Sequence, residues 1–212
     1  MGCDIHGVFQ KFDSETWRWV DIPSEYEQDR NYQLFSVLAG VRNYHLEPIE
    51  PISRPRGLPG DFELIVEHGD HEHPVTDPEI LPPYLRDSWD DPEYPTRSVW
   101  LGDHSHSWLS GEEMLEWYSS APTVRVSGII SLSQYISWDH ASPPYPYSQG
   151  IYGANVRVVD EGDVPDLDSE PWSHIRVSWG ESLWIELAYF FDEVKRLQDK
   201  FGKVRFVFGF DS

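Results

Sequence analysis

Asp4 and His6 stand two residues apart in the opening run Met1-Gly2-Cys3-Asp4-Ile5-His6-Gly7. Side chains two apart on a strand share a face. A carboxylate and an imidazole on one face can share a metal ion, or the carboxylate can orient the imidazole for proton transfer. A second cluster, Gly102-Asp103-His104-Ser105-His106-Ser107-Trp108, sets two histidines between an aspartate and an indole. If that segment is extended, His104 and His106 face one side and Ser105 and Ser107 the other. Convergence of Asp4, His6 and one of the two histidines, His104 first or else His106, would give a two-histidine, one-carboxylate set for one divalent metal ion, which would polarise a phosphoryl oxygen or activate water. Without a metal, Asp4, His6, His104 and His106 would serve as acid and base. The sequence leaves both arrangements open.

Arg30, Arg42, Arg54 and Arg56 fall within 27 residues of a strongly acidic chain. Guanidinium forks bind phosphate oxygens in pairs. Asn31, Tyr32 and Asn43 lie beside them, and Ser105, Ser107 and Trp108 in the second cluster, as groups that bond a ribose or stack on a base. The competing reading is that these arginines neutralise surrounding Asp and Glu as ordinary surface pairs. The run Glu67-His68-Gly69-Asp70-His71-Glu72-His73 is read as solvated rather than metal-binding, since no cysteine accompanies it. Cys3 has no cationic neighbour in sequence to activate it as a nucleophile.

The chain has 212 residues, 39% apolar and 15% aromatic, enough to bury a sizeable core as one domain. Its net charge of -21 argues against broad nucleic-acid binding and against anionic membrane, and favours a small anionic ligand as partner. The cations are twelve Arg and four Lys, with no Lys between Lys11 and Lys195. One cysteine allows no intramolecular disulfide, and no run reads as a signal peptide or membrane span, so a cytoplasmic protein is expected. Oligomeric state is not readable from these features.

These residues need elements to position them. Alternating patterns over residues 4–12 and 16–22, around Asp13-Ser14-Glu15, predict a β-hairpin. Leu34, Phe35, Val37 and Leu38 predict a helix over 31–41 that ends near Gly40. Four prolines between Glu47 and Gly60 predict an extended loop. Residues 61–97 are acidic and Pro-rich and read as an irregular excursion with one short strand at 62–66. Ser110-Gly111-Glu112-Glu113 is a capping box opening a helix. Strands are expected at 123–130, 155–159 and 175–179, a short helix or strand at 132–138, and a Pro/Tyr/Gly loop at 142–153. A long helix at 182–201 buries Leu183, Trp184, Leu187, Phe190, Phe191, Val194 and Leu197, and an apolar strand follows at 204–210. The sum is an α+β domain over 1–212, mainly antiparallel sheet packed by about three helices.

Taken together, Met1 to His6, Asp29-Arg30-Asn31-Tyr32 with Leu34-Phe35 and Val41-Arg42-Asn43, Pro51-Ile52-Ser53-Arg54-Pro55-Arg56-Gly57-Leu58-Pro59 and Asp103 to Leu109 resemble an uncharacterised protein family encoded in bacteriophages and bacterial genomes. The resemblance covers most of the first 110 residues and the closing strand. It implies a phage or prophage origin, the host cytoplasm as setting, and action on nucleotide signals or nucleic-acid metabolism. Asp4-Ile5-His6-Gly7 is also similar to the opening motif of calcineurin-like metallophosphoesterases. The Gly-Asn-His and Gly-His-x-His blocks of that family are missing here, so its fold is not expected. Three readings follow: metal-assisted phosphoester hydrolysis of a nucleotide-like ligand, sequestration of such a ligand without turnover, and an acidic interaction or mimic protein.

Overall fold

The computed structural model describes residues 2–28, 30–44, 48–67, 70–120, 123–167, 169–170 and 172–212. Met1, Asp29, Glu47, His68 and the side chain of Trp184, singled out above, lie outside the described residues. In chain order the elements are β1 (Ile5–Asp13), β2 (Arg18–Ile22), α1 (Tyr32–Ala39), β3 (Ile65–Glu67), β4 (Asp70–Pro74), α2 (Pro83–Arg86), β5 (Ser98–Trp100) and β6 (His104–Ser110). Then come α3 (Gly111–Ser119), β7 (Thr123–Ser131), α4 (Leu132–Ser137), β8 (Arg157–Asp160), β9 (Ser173–Ser182), α5 (Trp184–Phe201) and β10 (Val204–Phe210). Short 3₁₀ turns occupy Pro78–Ile80, Asp87–Asp90 and Glu161–Asp166. The fold is α+β with mainly antiparallel sheets, an N-terminal hairpin and a long C-terminal helix, as expected.

The residues group into two compact units. One comprises Met1–Asn43, Ile49–Ala121 and Trp184–Ser212; the other comprises Tyr44–Pro48 and Pro122–Leu183. The second unit is largely an insertion between α3 and α5. No linker composition marks it, which is why the sequence reads as a single domain.

In the first unit, Asp13 closes the hairpin by accepting from Glu15 N and Thr16 Oγ1 at 2.9 and 2.7 Å. The apolar β10 inserts between β1 and β6, giving the antiparallel order β2-β1-β10-β6. Cross-strand partners share a face. Ile5 pairs with Phe210 and Phe9 with Phe206, and this face packs on helices: Phe9 meets Phe190 of α5 and Phe210 meets Phe35 of α1, at 6.1 and 5.1 Å between ring centroids. The α5 stripe Leu187, Phe190, Phe191, Val194 and Leu197 is at most 2% exposed. Burying each such side chain stabilises by about 1.5–3 kcal/mol relative to exposing it. Asn31 caps α1 by accepting from Leu34 N, and Gly40, at φ 73°, ends it in the left-handed conformation. The Ser110/Glu113 capping box of α3 forms as the sequence requires.

The opposite face of this sheet carries Val8 and Val207, which pack with Phe62, Val75, Leu81, Val99 and Leu101. These come from and around a second antiparallel sheet, β3-β4-β5. Within the segment expected to be an irregular excursion with one strand at 62–66, two short strands form, β3 over 65–67 and β4 over 70–74, and the rest up to residue 97 is short helical turns and irregular chain. The pattern was hidden because β4, Asp70-His71-Glu72-His73-Pro74, turns His71 and His73 inward where aliphatic residues are the usual signal. For the same reason His73 is not solvated, being 3% exposed, while His71 is half-buried.

The second unit has the sheet order β7-β9-β8, with β7 antiparallel and β8 parallel to β9. Ile130, Ile175, Val177 and Trp179 form its core. Residues 132–137 are helical, started by a Ser131/Gln134 capping box. Among the described residues no helix is long and apolar enough to cross a membrane.

Candidate functional site

Asp211, the residue after β10, gathers the sequence-predicted groups. Its register follows from β1 pairing with β10: Ile5 faces Phe210, so Asp211 meets Asp4, whose carbonyl accepts from Asp211 N at 3.2 Å. Asp211 Oδ1 accepts from Asp4 N at 2.6 Å, and Oδ2 lies 3.2 Å from His6 Nε2. The carbonyl of Asp211 is 3.1 Å from His104 Nε2. Three segments far apart in sequence thus meet at one residue.

Proton positions follow from the partners. A carboxylate and a carbonyl only accept, so His6 and His104 both donate from Nε2. In His104 the other nitrogen, Nδ1, then accepts from Ser105 Oγ at 3.0 Å. Nothing among the described residues bonds Nδ1 of His6, so its lone pair is available. His6 is oriented by a carboxylate on one side, bears a free basic nitrogen on the other, and has 15% side-chain exposure. Trp100 flanks its ring at 4.8 Å.

Close approach here depends on glycine. A Cβ on Gly102, which stands at φ 73°, would collide with the Phe210 backbone. A Cβ on Gly209 would meet the Leu101 carbonyl and the His106 ring.

Asp4 is held by the Arg30 fork, Nε to Oδ1 at 2.8 Å and Nη2 to Oδ2 at 2.7 Å. That hydrogen bond, opposed by partial burial and aided by the guanidinium charge, holds the Asp4 carboxyl below the usual range. Burial, then the negative Asp4 and Asp211, push the Tyr84 phenol of α2 above its ordinary value. Burial raises the Cys3 thiol, against a hydrogen bond from Arg42. Arg42 also approaches the Gly2 carbonyl at 3.4 Å and lies 6.0 Å from the Tyr32 ring.

His106 also lies on β6, but its side chain meets the neighbouring sheet. Its Nε2 donates to the Gly102 carbonyl at 3.2 Å and its ring lies 4.5 Å from His71. Burial lowers its pKa, only partly offset by that carbonyl. The remaining predicted residues stand elsewhere. Asn43 clamps the Ile49 backbone, donating to its carbonyl at 2.7 Å and accepting from its amide at 3.0 Å. Asn31 is a helix cap. Arg56 pairs with Glu113 at 2.7 Å and lies 4.8 Å over Trp108, while its amide donates to the buried Ser107 Oγ. Arg54 is exposed.

The expected metal ligands do not fit a metal in this arrangement. Both Asp4 oxygens serve Arg30, and the Nε2 atoms of His6 and His104 both serve Asp211. Among the described residues no three His, Cys, Asp or Glu side chains stand where they could hold a metal ion. Sequence reasoning missed Asp211 and Trp100. The signal for Asp211 was pairing between the two terminal apolar runs, which brings residue 211 opposite residue 4.

Compared with known proteins, the chain matches no family model, no curated protein and no solved structure.

Proposed function

We propose that the chain binds a compact phosphate-bearing, nucleotide-like ligand at the Asp211 cluster and cleaves a phosphoester there, with His6 as general base. The orientation of one imidazole carries this reading. Asp211 Oδ2 accepts a hydrogen bond from His6 Nε2, which leaves the Nδ1 lone pair free. A carboxylate behind a histidine fixes its tautomer and stabilises the imidazolium that forms. Water gives its proton to Nδ1 as its oxygen attacks phosphorus; the bond to the leaving oxygen breaks, and the proton passes to that oxygen. A positioned base of this kind contributes roughly 10²–10⁴-fold. Arg30, half-exposed, and Arg42 supply positive charge beside the attacked phosphate, and the Trp100 ring supplies a flat apolar surface for a base.

The test is phosphate release from a panel of nucleoside mono-, di- and cyclic phosphates, run with a chelator present. Turnover should persist under chelation and fall roughly 10²–10⁴-fold in His6→Gln and Asp211→Asn. Turnover unchanged in both variants refutes the base assignment. Activity lost to the chelator and restored by one divalent ion would return the metal reading. Tight retention of unaltered nucleotide without turnover would replace catalysis by sequestration.

A further inference from the structure

The second unit carries a pocket of about 290 Å³, formed wholly by residues 134–145 where α4 gives way to a proline-rich loop. Small-molecule sites typically span roughly 300–1,000 Å³, so a ligand here is compact. None of the residues predicted from sequence lines it.

The loop's own bonds tie the walls together. Asp139 Oδ1 accepts from Ala141 N and Ser142 N, both at 2.9 Å, and Oδ2 accepts from Ser142 Oγ at 2.7 Å. The Trp138 indole N–H donates to the Ser142 carbonyl at 2.6 Å. Gln134 Nε2 donates to the Pro146 carbonyl at 2.8 Å while its Oε1 serves the α4 capping box, and Ser137 Oγ donates to the Ser133 carbonyl at 3.1 Å. Apart from Tyr145, each polar side chain of the lining is bonded within the chain, so little directional hydrogen bonding is left for a ligand.

The pocket offers charge and rings instead. Asp139 is the one charged residue in its lining. The Ser142 and Ala141 amides and the Ser142 hydroxyl hold its carboxyl down at about 2, so it is ionised at neutral pH, and these neutral donors leave its negative charge uncompensated. His140, next in sequence, lies 4.7 Å from the Trp138 ring and 3.4 Å from Glu161, so a charge on it is met by that carboxylate. Trp138 packs in part on the core of the unit, and Tyr145 is 69% exposed. Aromatic faces attract cations through the ring quadrupole, Trp most strongly. Pro143 and Pro144 add apolar surface that donates no hydrogen bond.

These features select among cations. A primary ammonium has three N–H donors and would exchange water for one carboxylate already in use. A quaternary ammonium has no donor to satisfy, and its methyl groups suit rings and prolines. A ligand bearing its own phosphate or carboxylate would bring an anion to a lining without a cation.

We propose that this pocket binds a small free quaternary ammonium ion without an anionic group, of the choline class, its methyl groups against Trp138 and Tyr145 and its charge facing Asp139.

Calorimetry on the full chain compares choline with phosphocholine and with the neutral analogue in which carbon replaces the nitrogen. Choline and that analogue share a shape and differ in charge, and choline should bind at least about tenfold more tightly than either comparator. Tyr145→Leu, at an exposed position, removes a ring but keeps apolar bulk. Asp139→Asn keeps an acceptor for both amides and removes the charge. Each should weaken choline by roughly three- to tenfold. His6→Gln, in the other unit, should leave choline binding unchanged. No choline binding, equal affinity for the neutral analogue, or unchanged affinity in both pocket variants overturns the proposal. So does a trimethyl-lysine peptide that binds about tenfold more tightly than choline, since the occupant would then be a protein.

Discussion

Replacing Asp21 by Asn should invert the pH dependence that His73 gives to stability. Burial alone, at 4% side-chain exposure, would drive the His73 pKa down; the hydrogen bond and charge of Asp21 and the Glu63 carbonyl outweigh it and hold it above the ordinary value. A raised folded pKa means that this stabilisation is fully present below the unfolded value near 6.5 and is lost as pH rises through the folded one. Asn offers one acceptor and one donor where Asp21 accepts twice, from Gln10 and His73. With its oxygen on His73, its NH₂ opposes that of Gln10. With its oxygen on Gln10, its NH₂ meets His73 Nε2, and every bond is satisfied once His73 loses a proton. The variant therefore buries a neutral imidazole with a depressed pKa, whose contribution is present above about 6.5 and lost as pH falls. At pH 8.5 the change exchanges a charge-assisted bond for a neutral one, about 1 kcal/mol. One proton contributes at most about 1.4 kcal/mol per pH unit, so the gap between the two proteins should widen by up to about 4 kcal/mol between pH 8.5 and 5.5. Urea unfolding of both proteins at several pH values measures the gap, and groups common to both cancel. A gap constant with pH, or an NMR titration placing wild-type His73 below 6.5, would refute the reasoning.

Asn43→Ala removes both bonds to the Ile49 backbone. Unfolding experiments should show a loss of about 1–3 kcal/mol, with nucleotide affinity unchanged in the folded fraction. Gly209→Ala drives a methyl into the Leu101 carbonyl and the His106 ring. Overpacking of this kind costs roughly 1–3 kcal/mol or more, and an unaltered thermal midpoint would contradict it.

Elements whose signal is local were legible in the sequence. The hairpin, both ends of α1, the Ser110 capping box and the α5 stripe depend on spacings within one or two turns. The β3-β4-β5 sheet was not, because its inward positions are histidines and its apolar partners, Val8 and Val207, lie on other strands. Asp4, His6 and His104 were legible as chemistry but not as geometry. What unites them is Asp211, more than 200 residues from Asp4, and only the β1/β10 register reveals it. Arg56 and Asn43 show the converse: residue types suited to a ligand that instead fasten a proline-rich loop to its neighbours.

Two polar clusters, the groups around Asp211 and the bonds of Arg205 to Gln10 and Asp61, stand on one face of one strand pair. His6 faces Gly209, Val8 faces Val207 and Gln10 faces Arg205 in the β1/β10 register. Alternation sends all six toward β3-β4-β5, so a single face carries an oriented imidazole at one end, an apolar plug in the middle and the Arg205 guanidinium at the other. The intervening residues, Gly7 and Phe9 with Phe208 and Phe206, point to the helices. A slip of one residue would exchange these sets, putting His6 and Gln10 into the phenylalanine core and the rings against β3-β4-β5. The large cost of burying those polar groups unpaired is what fixes the register. The pairing that selects the core thus also aims His6 at Asp211 and Gln10 at Arg205, and neither cluster can be shifted without unmaking the sheet.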